Sequence, residues 1–281
     1  MEHSMFELPE VETVRRDLER DIVGKKIKSA EAMSMKVLRR YRTRNSFVSR
    51  LVGNKITAVQ RRGLHITIEF ENESNLVVDL GSSGSLRRTA NKEAIDPETE
   101  VVITFTQHGQ LRLLDAQGTS EIFVVDDDSI LDELPELEEL GLDPVSEPVT
   151  WTVFGRSLLQ RRVRLKTLLT DPTFVLGIGD IYADEILFHA GLRHNRMSDS
   201  LTSQEIRRLH RALVGTLHDA IKHRGTSIPE REFIDPVGNP GEYGSHLMVW
   251  GRHGELSARS RLPIQRVKFR GTWTYFCQTQ V

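Results

Sequence analysis

Apolar and polar positions along the chain change period near its middle. Val11, Val14, Leu18 and Ile22 recur at helical spacing behind Pro9, with Glu10 and Glu12 placed against the helix dipole; this predicts a helix that Gly24 ends. From Lys26 to Val125 the pattern becomes short β-branched runs broken by turn residues: Ile56 to Val59, Ile66 to Phe70, Leu76 to Leu80, Val101 to Phe105, Leu111 to Leu114 and Ile122 to Val125. Ile66, Ile68 and Phe70 alternate cleanly, and strands so spaced predict an antiparallel sandwich or barrel. Beyond residue 150 the helical period returns. Helices are expected over Phe154 to Thr170 and Ile181 to Ala190, and a third follows the capping box Thr202/Glu205 with Ile206, Leu209, Leu213, Leu217 and Ile221 on its apolar face. A Pro- and Gly-rich loop over Thr226 to Gly244 precedes two closing strands, Leu262 to Phe269 and Thr272 to Cys277, turned at Arg270-Gly271.

Composition refines this α+β picture. From Glu121 to Thr150 there are eleven acids and no Lys or Arg, whereas from Ser245 onward six Arg or Lys face one acid, Glu255. A net charge of −2 therefore hides segregation, and basic clusters at Lys36 to Arg44, Arg61–Arg62, Arg87–Arg88 and Arg156 to Lys166 suit either a phosphate-following face or ordinary solvated surface. The acidic, proline-bearing stretch reads as an inter-domain linker. The expected organisation is a sandwich domain at 5–130, a linker at 131–150, a helical domain at 151–244 and a closing hairpin at 245–281. No run approaches the ~18 apolar residues of a membrane helix, which favours a cytoplasmic location; a monomer is expected. Cys277 is the sole cysteine, so no intrachain disulfide and no cysteine-rich metal site is expected. Met1–Ser4 precede a second methionine, making Met5 an alternative start.

Candidate chemistry lies in two strings. In Val175-Leu-Gly-Ile-Gly-Asp-Ile-Tyr-Ala-Asp-Glu185, two glycines turn one helix sharply into the next, either as a plain tight turn or as a phosphate grip at a helix N-terminus. This string resembles the helix–two-turn–helix signature of the formamidopyrimidine-DNA glycosylase/endonuclease VIII family, and Phe6-Glu-Leu-Pro-Glu-Val-Glu-Thr-Val-Arg-Arg16 resembles that family's N-terminus. Arg61-Arg62-Gly63, Leu80 to Arg87 and Gly225-Thr-Ser-Ile228 match in order, so the resemblance runs over residues 5 to 281. It implies a β-sandwich with a leading helix, a helical domain with an antiparallel finger, and double-stranded, damaged DNA as partner.

In that family a terminal proline amine attacks the sugar of a flipped nucleotide, and a Schiff base forms before the strand is cut. Here Phe6 stands at the proline position. Glu7 and Glu10 match the two family glutamates. They serve either in proton transfer, with Glu7 the better candidate, or in helix capping. Leu64 stands where a lysine is expected, Ser82 replaces the wedge methionine, and Asp115 to Ser120 replace an arginine pair and a phenylalanine that fill the gap beside a flipped base. Asp180 replaces a phosphate-contacting asparagine, which predicts repulsion unless the carboxylate is paired or turned away. The zinc-finger positions are Ser257, Ser260, Cys277 and Gln280, which implies a zincless finger packed by Ile264, Phe269, Trp273 and Tyr275, with no metal or cofactor.

Gly177, Gly179, Tyr182, Lys166, Arg162 and Arg62 are the implied DNA contacts, with Arg270 displaced from the finger arginine's position, where Thr272 stands. Three readings follow: a monofunctional glycosylase using Glu7 and water, a non-catalytic damaged-DNA binder, or a protein-interaction module on the same fold.

Overall fold

The structure, a computed structural model, describes residues 6–281; the alternative start at Met5 lies outside them. Contacts divide the described residues into two compact units, 6–138 with 224–241, and 139–223 with 242–281.

In the first unit α1 (Leu8–Ile22) precedes β1 (Ile27–Ala32), α2 (Arg44–Leu51), β2 (Ile56–Arg62), β3 (His65–Phe70), β4 (Ser74–Asp79), β5 (Ser85–Thr89), β6 (Thr99–Phe105), β7 (Gln110–Leu114) and β8 (Glu121–Asp126). Two four-stranded antiparallel sheets result, ordered β1-β6-β7-β5 and β2-β3-β4-β8. Every strand expected from alternation is present; β1, β5 and α2 were not foreseen. In β1 only the first, fourth and sixth residues are buried, and a register shift between Ile27 and Ser29 breaks the two-residue period that reveals a strand. The side chains of Val11, Val14, Leu18 and Ile22 join residues from both sheets in one core. Each such side chain contributes about 1.5–3 kcal/mol by leaving water.

The acidic stretch is not a featureless linker. It continues the first unit through short helical turns, including α3 (Ile130–Glu133), and Ile130 and Leu134 bury against Val77, Phe123 and Val125. Arg40 ties it down by pairing with Glu121 and Glu133.

Residues 224–241 also belong to the first unit. Arg224 pairs with Asp17 and Asp235, Arg87 donates to the Asp235 carbonyl at 2.7 Å, and Arg88 N–H donates to the Pro236 carbonyl at 2.7 Å. Gly225 is demanded here. Its φ is +80°, and a Cβ would lie 2.9 Å from a Glu10 carboxylate oxygen.

The second unit holds α4 (Trp151–Leu159), α5 (Leu165–Leu169), α6 (Asp180–Ala190), α7 (Ser203–Lys222), β9 (Gln265–Phe269) and β10 (Thr272–Phe276). The helix expected over 154–170 is two helices. At the break the chain turns extended and pairs with a distant segment: Leu165 N–H donates to the Arg196 carbonyl at 2.9 Å and Lys166 N–H to that of His194 at 3.0 Å. α7 opens on the Thr202/Glu205 capping box, as its sequence indicates, and ends at Lys222. The closing hairpin turns at Arg270 and Gly271, with φ of +50° and +90°, the paired positive values of a type I′ turn. Among the described residues no helix is long and apolar enough to cross a membrane.

Candidate functional site

The two candidate carboxylates lie where α1 begins. Glu7 is the N-cap and Glu10 its third residue, and together they form a reciprocal capping box. Glu10 is 1% exposed; one carboxylate oxygen accepts from Glu7 N–H at 3.0 Å and the other from Thr226 N–H at 2.7 Å. Glu10 therefore fastens the start of the helix to the 224–241 loop. Glu7 is likewise buried, and Arg231 donates to its carboxylate at 3.0 Å. Phe6 is buried and meets Phe233 edge to face, with ring centroids 5.7 Å apart. Arg231 and Phe233 escaped the sequence reading because a Pro/Gly-rich loop carries no period from which side-chain direction can be read. An aromatic and a cation two residues apart in such a loop were the only available signal.

Behind this cluster Glu12 accepts from Arg15 at 3.0 Å and Arg16 at 2.7 Å, with buried Arg61 at 3.3 Å. Burial alone would raise the Glu12 carboxyl, but the Arg15 and Arg16 hydrogen bonds and the charges of Arg15 and Arg61 outweigh it, holding the group below the usual range. Arg62, next in sequence, is instead half-exposed, 4.0 Å from Asp127.

The segments that carry no wedge or void-filling side chains are locked to each other. Asp115 is buried and accepts from Gln117, Gly118 and Ser120 N–H, from the Ser120 hydroxyl at 2.6 Å and from the Ser83 hydroxyl. Burial opposes its ionisation, yet these donors hold its pKa below the ordinary value. Thr119 Oγ1 accepts from Ser82 and Ser83 N–H at 3.0 and 3.1 Å, and Gly81 at φ +55° leaves room for the Thr119 carbonyl, which a Cβ would approach to 2.5 Å. Ser82 thus sits on a fixed loop with a short polar side chain in place of a long apolar one.

In the second unit Gly177 has φ +61° and Gly179 is the N-cap of α6. Asp180, its first residue, is paired with Lys166 Nζ at 3.1 Å, so its charge is compensated. Lys166 is 1% exposed and also pairs with Asp184 at 2.9 Å. Asp184 accepts from the Thr274 hydroxyl and from Tyr275 N–H at 2.7 Å, joining α6 to β10. Burial, outweighing Lys166 and these donors, pushes Asp184 up to about 7. Glu185 accepts from Met248, Val249 and Trp250 N–H at 2.8, 2.9 and 2.9 Å. Tyr182 is buried beside Tyr243, with ring centroids 5.8 Å apart. Arg162 is exposed, 3.3 Å from Asp199, and Arg270 is exposed at the hairpin tip. The geometry thus separates two interior residues, Lys166 and Tyr182, from two surface cations, Arg162 and Arg270. The two acids inside an otherwise apolar run, Asp184 and Glu185, were the missed signal for burial on both faces of α6.

At the finger, Cys277 Sγ donates to Ser260 Oγ at 3.0 Å, Cys277 N–H to Gln280 Oε1 at 2.6 Å, and Gln280 Nε2 to the Leu192 carbonyl at 2.7 Å, while Ser257 is fully buried. One thiol, two hydroxyls and a carboxamide do not make a tetrahedral zinc site. Among the described residues no group of three or more His, Cys, Asp or Glu could hold a metal ion. Ile264 and Cys277 pack with Phe188 and Val249, with Tyr275 at the edge of the cluster; Phe269 meets His194 instead, and Trp273 lies half-exposed beneath Arg266 and Lys268. Prolonged EDTA treatment is expected to leave the thermal midpoint unchanged, with less than about one-tenth equivalent of zinc on elemental analysis. Stoichiometric zinc, or a chelator-dependent loss of midpoint, would overturn this reading of the finger.

The family model for the formamidopyrimidine-DNA glycosylase N-terminal domain matches residues 5–122, and the model for that family's H2TH domain matches residues 140–232. The formamidopyrimidine-DNA glycosylase of Pelotomaculum thermopropionicum is 36% identical over 275 residues, covering 98% of each chain; that of Geobacillus kaustophilus is 34% identical, covering 97% of this chain and 98% of its own. Among solved structures, a complex of the Lactococcus lactis Fpg with abasic-site DNA is similar at a TM-score of 0.85 and 30% identity, covering 96% of this chain and 97% of that one. With both domain models in sequence order and full-length relatives above 30% identity, the chain belongs to the formamidopyrimidine-DNA glycosylase family.

Proposed function

We propose that this protein binds damaged double-stranded DNA, as a monomer, without forming the Schiff base and without cutting the strand. One observation carries the reading: Phe6, at the position of the nucleophilic proline, is packed against Phe233, and the adjacent Glu7 carboxylate is held by Arg231. A phenylalanine cannot supply the secondary ring amine that the resemblance assigns to the nucleophile, and its side chain is committed to packing. The Glu7 carboxylate that would have to activate a water is buried, with one oxygen held by Arg231 at 3.0 Å.

DNA as partner is supported by the names of the relatives and by the similar structures, which are Fpg complexes with abasic or lesion-containing DNA. Arg62, Arg162 and Arg270 retain exposed guanidinium groups for phosphate contacts.

The test uses protein whose N-terminus has been verified by mass spectrometry, incubated with duplexes containing an abasic site, 8-oxoguanine or a formamidopyrimidine, with and without borohydride. The expected result is a retarded complex that weakens steeply with salt, no trapped adduct and no released base. A borohydride-trapped adduct would mean that an amine performs the family chemistry. Base release without trapping would assign hydrolysis to Glu7, and the absence of any complex at low salt would leave the protein-interaction reading.

A further inference from the structure

One face of α7 carries Arg208, Arg211, Ala212, Gly215, Thr216 and Asp219 at spacings of three and four, and with His189 from the last turn of α6 they line a groove of about 320 Å³. Its size falls at the lower end of small-molecule sites, roughly 300–1,000 Å³. His189 is nine residues from Asp180, about 13 Å along α6, so this groove is separate from the two-glycine turn.

Its groups are unusually unspent. Arg211 and the Asp219 carboxylate make no ion pair among the described residues, and eight residues apart on one helix, about 12 Å, they cannot neutralise each other. Arg208 uses only its Nε, which donates to the Ala190 carbonyl at 3.3 Å. Thr216 is 4% exposed, and its hydroxyl has no hydrogen-bond partner, although a mid-helix threonine ordinarily bonds the carbonyl one turn back. A solvated helix face would leave its polar atoms in water; this one buries an unmet hydroxyl at the groove. At Gly215 a Cβ would meet nothing within 4 Å, so neither packing nor backbone strain requires the glycine, and its effect is to leave the rim of the groove clear.

We propose that the groove is a second binding site, for a phosphate monoester of the nucleotide class. The phosphate bridges the guanidinium groups of Arg208 and Arg211, a hydroxyl or amino group of the ligand donates to Asp219, and the Thr216 hydroxyl turns to complete the contact. The chemistry is shared by a free nucleotide and by the phosphorylated end of a DNA strand.

Amide NMR spectra of the full chain, titrated with inorganic phosphate, dAMP and a 5′-phosphorylated tetranucleotide, test this. Saturable shifts at Gly215, Thr216 and Asp219 are expected with dAMP, weakened at least about tenfold by R211A, while D219N weakens dAMP but not inorganic phosphate. Both positions are exposed, and an unchanged thermal midpoint in each variant establishes that it is folded. Tighter binding of the tetranucleotide than of dAMP identifies the DNA end as the source, and the reverse identifies the free nucleotide. Absence of saturable shifts with all three probes into the tens of millimolar, or undiminished dAMP affinity in R211A, overturns the proposal.

Discussion

Lys166→Ala is expected to destabilise the protein by about 3–5 kcal/mol in urea unfolding at pH 8, because it strands the buried Asp184 carboxylate without its counter-charge. Lys166 Nζ is the ammonium between Asp180 and Asp184, and Asp184 has nowhere to take a charge except into the packing between α6 and β10. The loss depends on pH with a definite sign. Asp184 rises from 3.8 to about 7 on folding, so between those values the folded state holds more protons than the unfolded one. Its contribution to stability is therefore present in full below pH 3.8 and is lost as pH rises from there through 7. Removing Lys166 moves the folded pKa further upward and extends that window to higher pH. The substitution should accordingly cost less at pH 5 than at pH 8. Equal losses at the two values would show that Asp184 does not titrate in this range.

Glu10→Ala is expected to cost about 2–4 kcal/mol, since it leaves two buried backbone donors, Glu7 N–H and Thr226 N–H, without acceptors at roughly 1–3 kcal/mol each. Glu10→Gln keeps one carbonyl oxygen and should lie between wild type and alanine. DNA affinity at fixed salt should follow the folded fraction in both variants. If Glu10→Gln is as stable as wild type but has lost a base-release activity, the carboxylate acts in chemistry and the proposed function fails with it.

Much of the fold could be read from local pattern. Ile66, Ile68 and Phe70 alternate because one face of β3 is core, and Thr202/Glu205 signal a helix start through a contact three residues long. The break between α4 and α5 could not be read this way, since α5 restarts after extended Arg164 with its first N–H groups, on Leu165 and Lys166, bonded to the carbonyls of Arg196 and His194, far along the chain. The same division holds at the candidate site. The replacement of proline by Phe6 and of the zinc ligands was visible residue by residue, whereas Phe233 and Arg231 reach Phe6 and Glu7 across more than two hundred positions. Asp180, expected from the sequence to repel phosphate unless paired, and Lys166, an implied DNA contact, are one ion pair in three dimensions.

The return of residues 224–241 to the first unit also governs the order in which the protein can mature on the ribosome. Glu10, Glu7, Asp17 and Phe6 all wait for partners that are made only after residues 139–223 have been synthesised. At about 5–20 residues per second, the sandwich spends several seconds with buried acids and an aromatic uncovered. Truncation at the apparent boundary near Glu138 would make that interval permanent, so a fragment ending there should be prone to aggregate even though both its sheets are complete.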